Sequence, residues 1–331
     1  MARELNSVHK DASMQSVTNL PTPDAIDAAI KKGFLRLDHE ICHESVQKAL
    51  KMQSKPNAVE LLAPALSGAC ALLSFYDSKT GLLRVACTGD SRAVLGRRAQ
   101  SGKWAAVPLS EDQTGATPSE DARLRAEHPG EPNVTNRGRI LGQLEPSRAF
   151  GDAIYKWSRE TAIQVKKSFF GKTPSDLLKT PPYVTAEPII TTTKIDPTKG
   201  DFLVMATDGL WECLTNEEVV GLVGQWLDEQ TSNTRSNSSW LSWLGSSNRG
   251  NLPVEHHNPN QDGKVDGQRS PIRQRQWSIE GGDERFVVED KNVATHLIRN
   301  ALGGKNTDMV CALLSLPSPY SRRYRYVMPF C

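Results

Sequence analysis

Two apolar stretches of this sequence each run out on a carboxylate. LLRVACTGD (82–90) ends on Asp90, and FLVMATDG (202–209) reaches Asp208, with Glu212 four residues further on. If these strand ends converge, their carboxylates form an oxygen-only pocket, which hard divalent cations such as Mg²⁺ or Mn²⁺ prefer. Water bound to such a cation is easier to deprotonate and can attack phosphorus. The pattern therefore indicates metal-assisted chemistry on a phosphate group.

The Asp208-Gly209 pair also has a simpler interpretation. Asp-Gly is common in turns, because Gly tolerates positive φ and Asp can hydrogen-bond its own backbone. Trp211, two residues later, could fix this turn through a bonded ring N–H or could be ordinary core. The residues alone leave these alternatives open.

Composition narrows the class of protein. The chain has 331 residues, 38% hydrophobic and 24% charged, which suits a globular protein with a sizeable core. A net charge of +2 gives no reason to expect nucleic acid or an anionic membrane as partner, and no apolar run approaches the ~20 residues of a membrane span. The six cysteines form no CxxC pair and indicate free thiols in a reducing compartment.

The secondary-structure elements that must position these acidic residues begin with a helix predicted over 23–52, for which Thr22-Pro23 is the start signal. Apolar residues at spacings of three and four give it one core-facing stripe: Ile26, Ile30, Phe34, Leu37 and Ile41.

A strand-rich block follows this helix. The stretches 69–77 and 82–90 flank the turn SKTG, and 92–98 and 104–110 flank AQSGK, which predicts two hairpins in one antiparallel meander. A short helix over 119–128 and strands over 189–195 and 201–207 come next. Because strands and helices are segregated in runs, the fold class is predicted as α+β.

The last third of the chain combines helices with a polar insertion. TNEE (215–218) is a capping box that opens a helix through about Leu227. A long disordered insertion is predicted over residues 228–283, because this stretch is rich in Ser and Asn. It contains Trp240 and Trp243. A final helix over 289–304 is predicted to be capped by Asp290 and stopped by two glycines.

Three motifs, in this order and separation, carry a resemblance to a known family. They are ACTGDSRAVLG (86–96), PSRAFGD (146–152) and VMATDGLWECLTNEEVV (204–220). Together they resemble the type 2C family of metal-dependent protein serine/threonine phosphatases. GRILGQLEPSRAFGDAIYKW, PPYVTAEP, KNVATHLIRNALGG and LSLPSPYSRRYR narrow the resemblance to the mitochondrial pyruvate dehydrogenase phosphatase branch, most like its fungal members. The match covers roughly residues 24 to 325, apart from the insertion.

The resemblance implies a four-layer sandwich, with two central antiparallel sheets flanked by helices, and a binuclear Mg²⁺ or Mn²⁺ centre that activates water against phosphoserine or phosphothreonine. Asp208 matches the metal-bridging aspartate, Asp90 matches the aspartate of an additional and weaker metal site, and Glu212 stands where the family often has another acid at that site. The remaining motif residues are interpreted as structural: Gly89, Ser91, Arg92, Arg148, Gly151, Asp152, Gly209 and Trp211.

The sequence departs from the family pattern at both ends. The family's phosphate-binding arginine segment and its Asp-Gly-His segment, which supplies the general acid, are not found, since His9, His39 and His43 follow no Asp-Gly. After RRYR the family continues into Asp-Asp, whereas this chain reads YVMPFC. We therefore expect a flexible segment over 1–22, a truncated phosphatase domain over 23–325 and an aberrant tail over 326–331. No catalytic residue is identified, and we expect weak metal binding and little activity.

Several functional hypotheses follow. The first is a serine/threonine phosphatase that acts on phosphorylated mitochondrial proteins, with the pyruvate dehydrogenase complex as the implied substrate and the matrix as its location, although no targeting segment is visible and a cytosolic location stays open. The second is a non-catalytic relative that binds a phosphoprotein or regulates it, and the third is a mispredicted fragment. Nucleic-acid binding is disfavoured, because RSPIRQRQW is a short basic run in a loop.

Overall fold

The computed structural model describes residues 22–169, 171–235, 252–255 and 285–321. The helices in chain order are α1 (Pro23–His39), α2 (Ser45–Lys51), α3 (Lys55–Leu66), α4 (Pro118–Glu127), α5 (Arg159–Phe169), α6 (Asp208–Trp211), α7 (Asn216–Arg235), α8 (Val293–Leu302) and α9 (Thr307–Ser315). The strands are β1 (Gly68–Ala69), β2 (Ala71–Asp77), β3 (Leu82–Thr88), β4 (Arg92–Arg98), β5 (Trp104–Pro108), β6 (Thr135–Asn136), β7 (Arg139–Ile140), β8 (Phe150–Gly151), β9 (Ile189–Lys194) and β10 (Phe202–Ala206).

The chain divides into two compact units. Of the described residues, those within 22–77, 83–91 and 110–193 form the first unit, and those within 78–82, 92–109 and 194–321 form the second. The predicted tail 326–331, Trp240 and Trp243 lie outside the described residues, as does the predicted N-terminal segment except Thr22.

Helix α1 begins where the sequence predicts. The Thr22 side chain accepts a hydrogen bond from the Ala25 N–H at 3.3 Å, and Pro23 occupies the first turn, where its missing N–H costs nothing. A π-helical turn, Glu40–Glu44, joins α1 to α2. The predicted stripe is wrong at Leu37, whose exposed fraction is 48%, because the buried face of the helix continues from Phe34 to Asp38, four residues on.

A three-stranded sheet and α1 form the layers of the first unit. Strand β3 lies between β2 and β9. Ile26, Ile30 and Phe34 of α1 pack on this sheet around the buried Ala86. A separate helical cluster joins α2, α3 and α5; its centre includes Leu62, which is fully buried.

The second unit repeats this arrangement with other elements. Its sheet has the order β10-β4-β5, and both pairs are antiparallel, with Val204 opposite Val94 and Leu95 opposite Val107. Helix α7 packs against β4 and β5 through Val219, Leu222 and other buried residues. Antiparallel strands covered by helices confirm the predicted α+β class.

The predicted meander is wrong, because its two hairpins belong to different sheets. Strand β3 ends at Thr88 and β4 begins at Arg92, yet the two strands are not neighbours. Gly89 has a φ of +108°, and its N–H donates to the Gln113 Oε1 at 2.7 Å instead of to a strand. This left-handed residue turns the chain out of the first sheet.

The capping box at the start of α7 is confirmed. The Thr215 N–H donates to the Glu218 carboxylate at 2.9 Å, and the Glu218 N–H donates to the Thr215 hydroxyl at 3.1 Å. For α8 the predicted cap is wrong. The Asn292 side chain accepts from the Ala294 and Thr295 N–H groups, whereas Asp290 pairs with Arg299 at 2.7 Å.

Two described segments fall within the range predicted as an insertion. Helix α7 continues to Arg235, and residues 252–255 lie alongside β5. The Trp104 N–H donates to the Pro253 carbonyl at 2.8 Å, and the Glu255 N–H donates to the Trp104 carbonyl at 2.7 Å. Leu252 and Val254 are buried in the core of the second unit. Among the helices of the described residues, none is long and apolar enough to cross a membrane.

Candidate functional site

Asp208 stands at the first position of a short helix that directly follows a strand. Strand β10 ends at Ala206, Thr207 is extended, and α6 begins at Asp208. The Glu212 N–H donates to the Asp208 carbonyl at 2.7 Å, and both residues are half-buried. Because residues four apart in a helical turn lie on one side of it, the positions of Asp208 and Glu212 are on the same side of this turn.

Trp211 fixes this turn against two strands. Its ring is 2% exposed, and its Nε1–H lies 3.0 Å from the Ala206 carbonyl and 3.1 Å from the Arg92 carbonyl. The Arg92 guanidinium lies 5.2 Å from the centre of the Trp211 ring and donates to the Asn216 side chain at 2.9 Å. The bonded N–H agrees with the interpretation of Trp211 as the residue that packs the turn.

Replacing Trp211 with phenylalanine is expected to lower the free energy of unfolding by about 1–3 kcal/mol, because two buried carbonyls lose their shared donor. Urea denaturation measures this loss. Trp104→Phe is the matched control: Trp104 is also 2% exposed, but its Nε1 has no hydrogen-bond partner among the described residues. Equal losses in the two variants would show that the Trp211 hydrogen bonds contribute nothing.

Asp90 lies just beyond the point where Gly89 turns the chain out of its sheet. The Cys70 thiol contacts the Asp90 carboxylate at 3.1 Å, and a Cβ added to Gly89 would lie 2.3 Å from the Cys70 sulfur. Gln113 spans the turn, since its amide nitrogen also donates to the Cys87 carbonyl at 3.1 Å. The sequence carried no signal for Gln113 or Cys70, because both are distant from Asp90 along the chain.

A buried charge network surrounds Arg148 of the second motif. Its guanidinium donates to the Glu120 carboxylate at 2.7 Å and to the Glu187 carbonyl at 2.8 Å. Arg123 donates to the same carboxylate at 2.7 Å, and the Ser147 hydroxyl does so at 2.6 Å. Glu120 is 2% exposed, so its charge depends on these partners. Sequence reasoning missed Glu120, which lies in the first turn of α4 and looks there like an ordinary helix-start acid.

Asp152 follows in the same motif, in a left-handed conformation with a φ of 44°. Its N–H donates to the Ser67 carbonyl at 2.8 Å, which holds the turn. Burial raises the pKa of its carboxyl group. The Asp38 carboxylate anchors the neighbouring residues, accepting from the Gly151 N–H at 3.0 Å and from Lys156 at 2.7 Å. The structural role of Asp152 stays a prediction that these backbone contacts support.

The structure places two of the three predicted metal ligands on one turn, and their role as ligands stays a prediction. Asp208 and Glu212 share one turn of the second unit, whereas Asp90 belongs to the first unit, so their common pocket stays a prediction. Within the described ranges, no three His, Cys, Asp or Glu side chains form a group able to hold a metal ion. Two carboxylates on one side of a turn suit a hard cation that keeps several waters.

The chain is similar to several known proteins. A family model described as "Protein phosphatase 2C" matches residues 6–242. A protein phosphatase 2C homolog of Schizosaccharomyces pombe is 44% identical over 306 residues, covering 92% of this chain and 61% of the relative. The mitochondrial pyruvate dehydrogenase (acetyl-transferring) phosphatase 1 of Saccharomyces cerevisiae is 46% identical over 318 residues, covering 91% of this chain and 52% of the relative.

More distant proteins extend the comparison. Human mitochondrial pyruvate dehydrogenase (acetyl-transferring) phosphatase 1 is 33% identical over 339 residues, covering 94% of this chain and 56% of the relative. The solved structure of a serine-threonine phosphatase 2C from Toxoplasma gondii has a TM-score of 0.41 at 17% identity, covering 71% of this chain and 70% of that one.

The chain thus spans between 52% and 61% of the length of these curated relatives. The family model and these relatives agree with the predicted resemblance and with the fold class that it implies. On this basis, the chain belongs to the protein phosphatase 2C family.

Proposed function

We propose that the protein is a metal-dependent serine/threonine phosphatase that hydrolyses phosphoserine and phosphothreonine in proteins. The observation that carries this proposal is the placement of Asp208 and Glu212 on the single turn that Trp211 anchors. The three curated relatives described above have the names of phosphatases, and none favours the non-catalytic alternative.

In this proposal Asp208 and Glu212 hold a divalent cation, Mg²⁺ or Mn²⁺, and Asp90 serves an additional, weaker metal site. When bound, the cation supplies positive charge that activates water and stabilises the charge developing on the phosphoryl oxygens. The contribution of the chain itself is to orient the two carboxylates that would bind the cation. The turn that follows β10 is held by the Trp211 N–H and by the stacking of Arg92, so that the two carboxylates do not need to reorganise when the cation binds.

The proposed substrate is a phosphorylated subunit of the pyruvate dehydrogenase complex, and the proposed location is the mitochondrial matrix. Both follow from relatives named as mitochondrial pyruvate dehydrogenase phosphatases, at 46% and 33% identity.

The test is phosphate release by the full-length natural protein from a phosphoserine peptide and from phosphorylated pyruvate dehydrogenase complex, during titration with Mn²⁺. We expect release that rises with Mn²⁺, stops on chelation and returns when the metal is added back. A rate unaffected by chelation would contradict metal dependence. Hydrolysis of the peptide without hydrolysis of the complex would contradict the proposed substrate only.

A further inference from the structure

Five exposed lysines gather around the ends of three helices in the first unit. Lys51 ends α2, Lys55 begins α3, Lys166 and Lys167 lie in the last turn of α5, and Lys172 follows that helix. We call these five residues the lysine patch.

Several contacts connect the parts of the lysine patch. The Lys55 ammonium lies 4.7 Å from the centre of the Phe169 ring, which places the start of α3 at the end of α5. The chain then folds back at Gly171, where an added Cβ would lie 3.5 Å from the Lys166 Cα. Lys172 lines a small pocket together with Leu66 of α3. These contacts place Lys55, Lys166 and Lys172 in one region of the first unit, with Lys167 next to Lys166 and Lys51 four residues before Lys55.

The lysine patch forms no ion pair within the described part of the chain, and its charge acts there on the half-buried Asp152, whose pKa burial raises and the Lys172 charge lowers. None of its five ammonium groups has a carboxylate within 4.0 Å there. Other lysines of the same unit differ: Lys48 pairs with Glu44 at 3.2 Å, and Lys31 pairs with Glu187 at 3.0 Å. Because the whole chain has a net charge of only +2, this region concentrates positive charge that other regions offset.

Helix electrostatics explain only part of the lysine patch. Lys166 and Lys167 are favourable near the negative end of α5. Lys55, however, stands in the first turn of α3, at the positive end of a helix with no acid in that turn, and Lys172 lies outside any helix. These two lysines raise the local potential without a compensating gain from the helices.

We propose that the lysine patch is a docking surface for a flexible acidic segment of a protein substrate; this inference rests on the proposed phosphatase function. Lysine ammonium groups act as hydrated point charges, which attract glutamate-rich chains without a fixed geometry. Sites for single-stranded nucleic acid combine positive charge with exposed aromatic rings, whereas Phe169 is buried beneath Lys55. Binding to a membrane surface favours lysines along one face of a single helix, whereas these lie at the ends of three.

The test measures the fluorescence anisotropy of a labelled peptide of alternating glutamate and serine, with the full-length natural protein at low salt. Changing Lys166 and Lys167 to glutamate together is expected to weaken binding by at least about tenfold, and added salt is expected to weaken binding by the parent protein. The matched control changes Lys291 and Lys305 to glutamate; these exposed lysines of the second unit carry the same charge but lie outside the lysine patch. The control is expected to bind like the parent.

Three outcomes would overturn the inference: no binding of the glutamate peptide by the parent, equal weakening in the two double variants, or binding only of phosphatidylserine vesicles or single-stranded DNA. The anisotropy measurement requires no catalysis, so its failure is distinct from a failure of the proposed function. Hydrolysis of a short phosphoserine peptide without acidic residues is expected to be the same in the lysine-patch variant and the parent, and loss of this activity would point to a damaged fold instead.

Discussion

Replacing Asp208 with asparagine is expected to lower the Mn²⁺-dependent rate of phosphate release by about 10²–10³-fold, which corresponds to several kcal/mol of lost charge stabilisation. Asparagine keeps the size of the side chain but removes its negative charge, so the cation loses its strongest proposed contact on the α6 turn. The Trp211 and Arg92 contacts that hold the turn do not involve the Asp208 side chain. The fold is therefore expected to survive the change.

Two further measurements separate the metal from the fold in this experiment. Calorimetry with Mn²⁺ alone is expected to show weaker binding by the variant, and its urea midpoint is expected to match the parent. Glu217→Gln serves as the control. This change also removes one carboxylate charge, but Glu217 lies at the start of α7 and is not part of the proposed site. Unchanged Mn²⁺ affinity in Asp208→Asn would contradict the role proposed for Asp208.

Replacing Glu120 with glutamine is expected to lower the free energy of unfolding by about 3–5 kcal/mol, because it breaks a buried ion pair from one side only. Arg148 and Arg123 would keep their charge while losing the carboxylate that now accepts from both. Chemical denaturation measures the loss. Glu127→Gln is the control on the same helix: Glu127 also pairs with Arg123, at 2.8 Å, but its side chain is 50% exposed, so a loss below about 1 kcal/mol is expected. Equal losses would contradict the importance of burial.

The same network predicts a dependence of stability on acid. Burial raises the pKa of Glu120, but the hydrogen bonds from Arg123, Arg148 and Ser147 outweigh burial and bring the pKa from 4.5 to about 2. A carboxyl group whose pKa is lower in the folded state stabilises that state above its unfolded pKa. This contribution, about 3 kcal/mol, is therefore complete above pH 4.5 and is lost as the pH falls toward 2. Glu120→Gln is expected to show a shallower loss of stability than the parent between these pH values.

Local patterns in the sequence predicted individual elements well. The capping box Thr215–Glu218 and the hairpin turns depend on residues a few positions apart, so their geometry is encoded within one short stretch. Helix α3 was not predicted, and it carries Pro56 and Pro64, residues that normally interrupt a helical pattern. Pro56 stands in the first turn, where proline is tolerated.

Contacts between residues far apart along the chain could not be predicted from the sequence. Strands β3 and β4 enter different sheets, and the Gly89 N–H between them is bonded by Gln113, more than twenty positions away. The partner of Arg148 was likewise invisible, since Glu120 lies 28 positions earlier. At the candidate site, the turn with Asp208, Glu212 and the bonded Trp211 was visible in the sequence, because all three lie within a few positions of one another; the metal-binding role of the two acids stays a prediction. It did not predict that Arg92 would stack on that turn from another strand.

The segment 252–255 beside Trp104 also affects the tendency of this protein to aggregate through a sheet edge. An exposed edge strand has a row of unpaired N–H and C=O groups, which can form hydrogen bonds with a strand of another molecule. Here the Trp104 backbone is paired with residues 253–255 of the same chain. This segment is a poor template for a further strand, because Pro253 has no N–H and the Val254 N–H already donates to the Leu252 carbonyl at 2.8 Å. At Trp104 the sheet therefore ends in a segment that offers few free backbone groups, which limits pairing with another chain at this position.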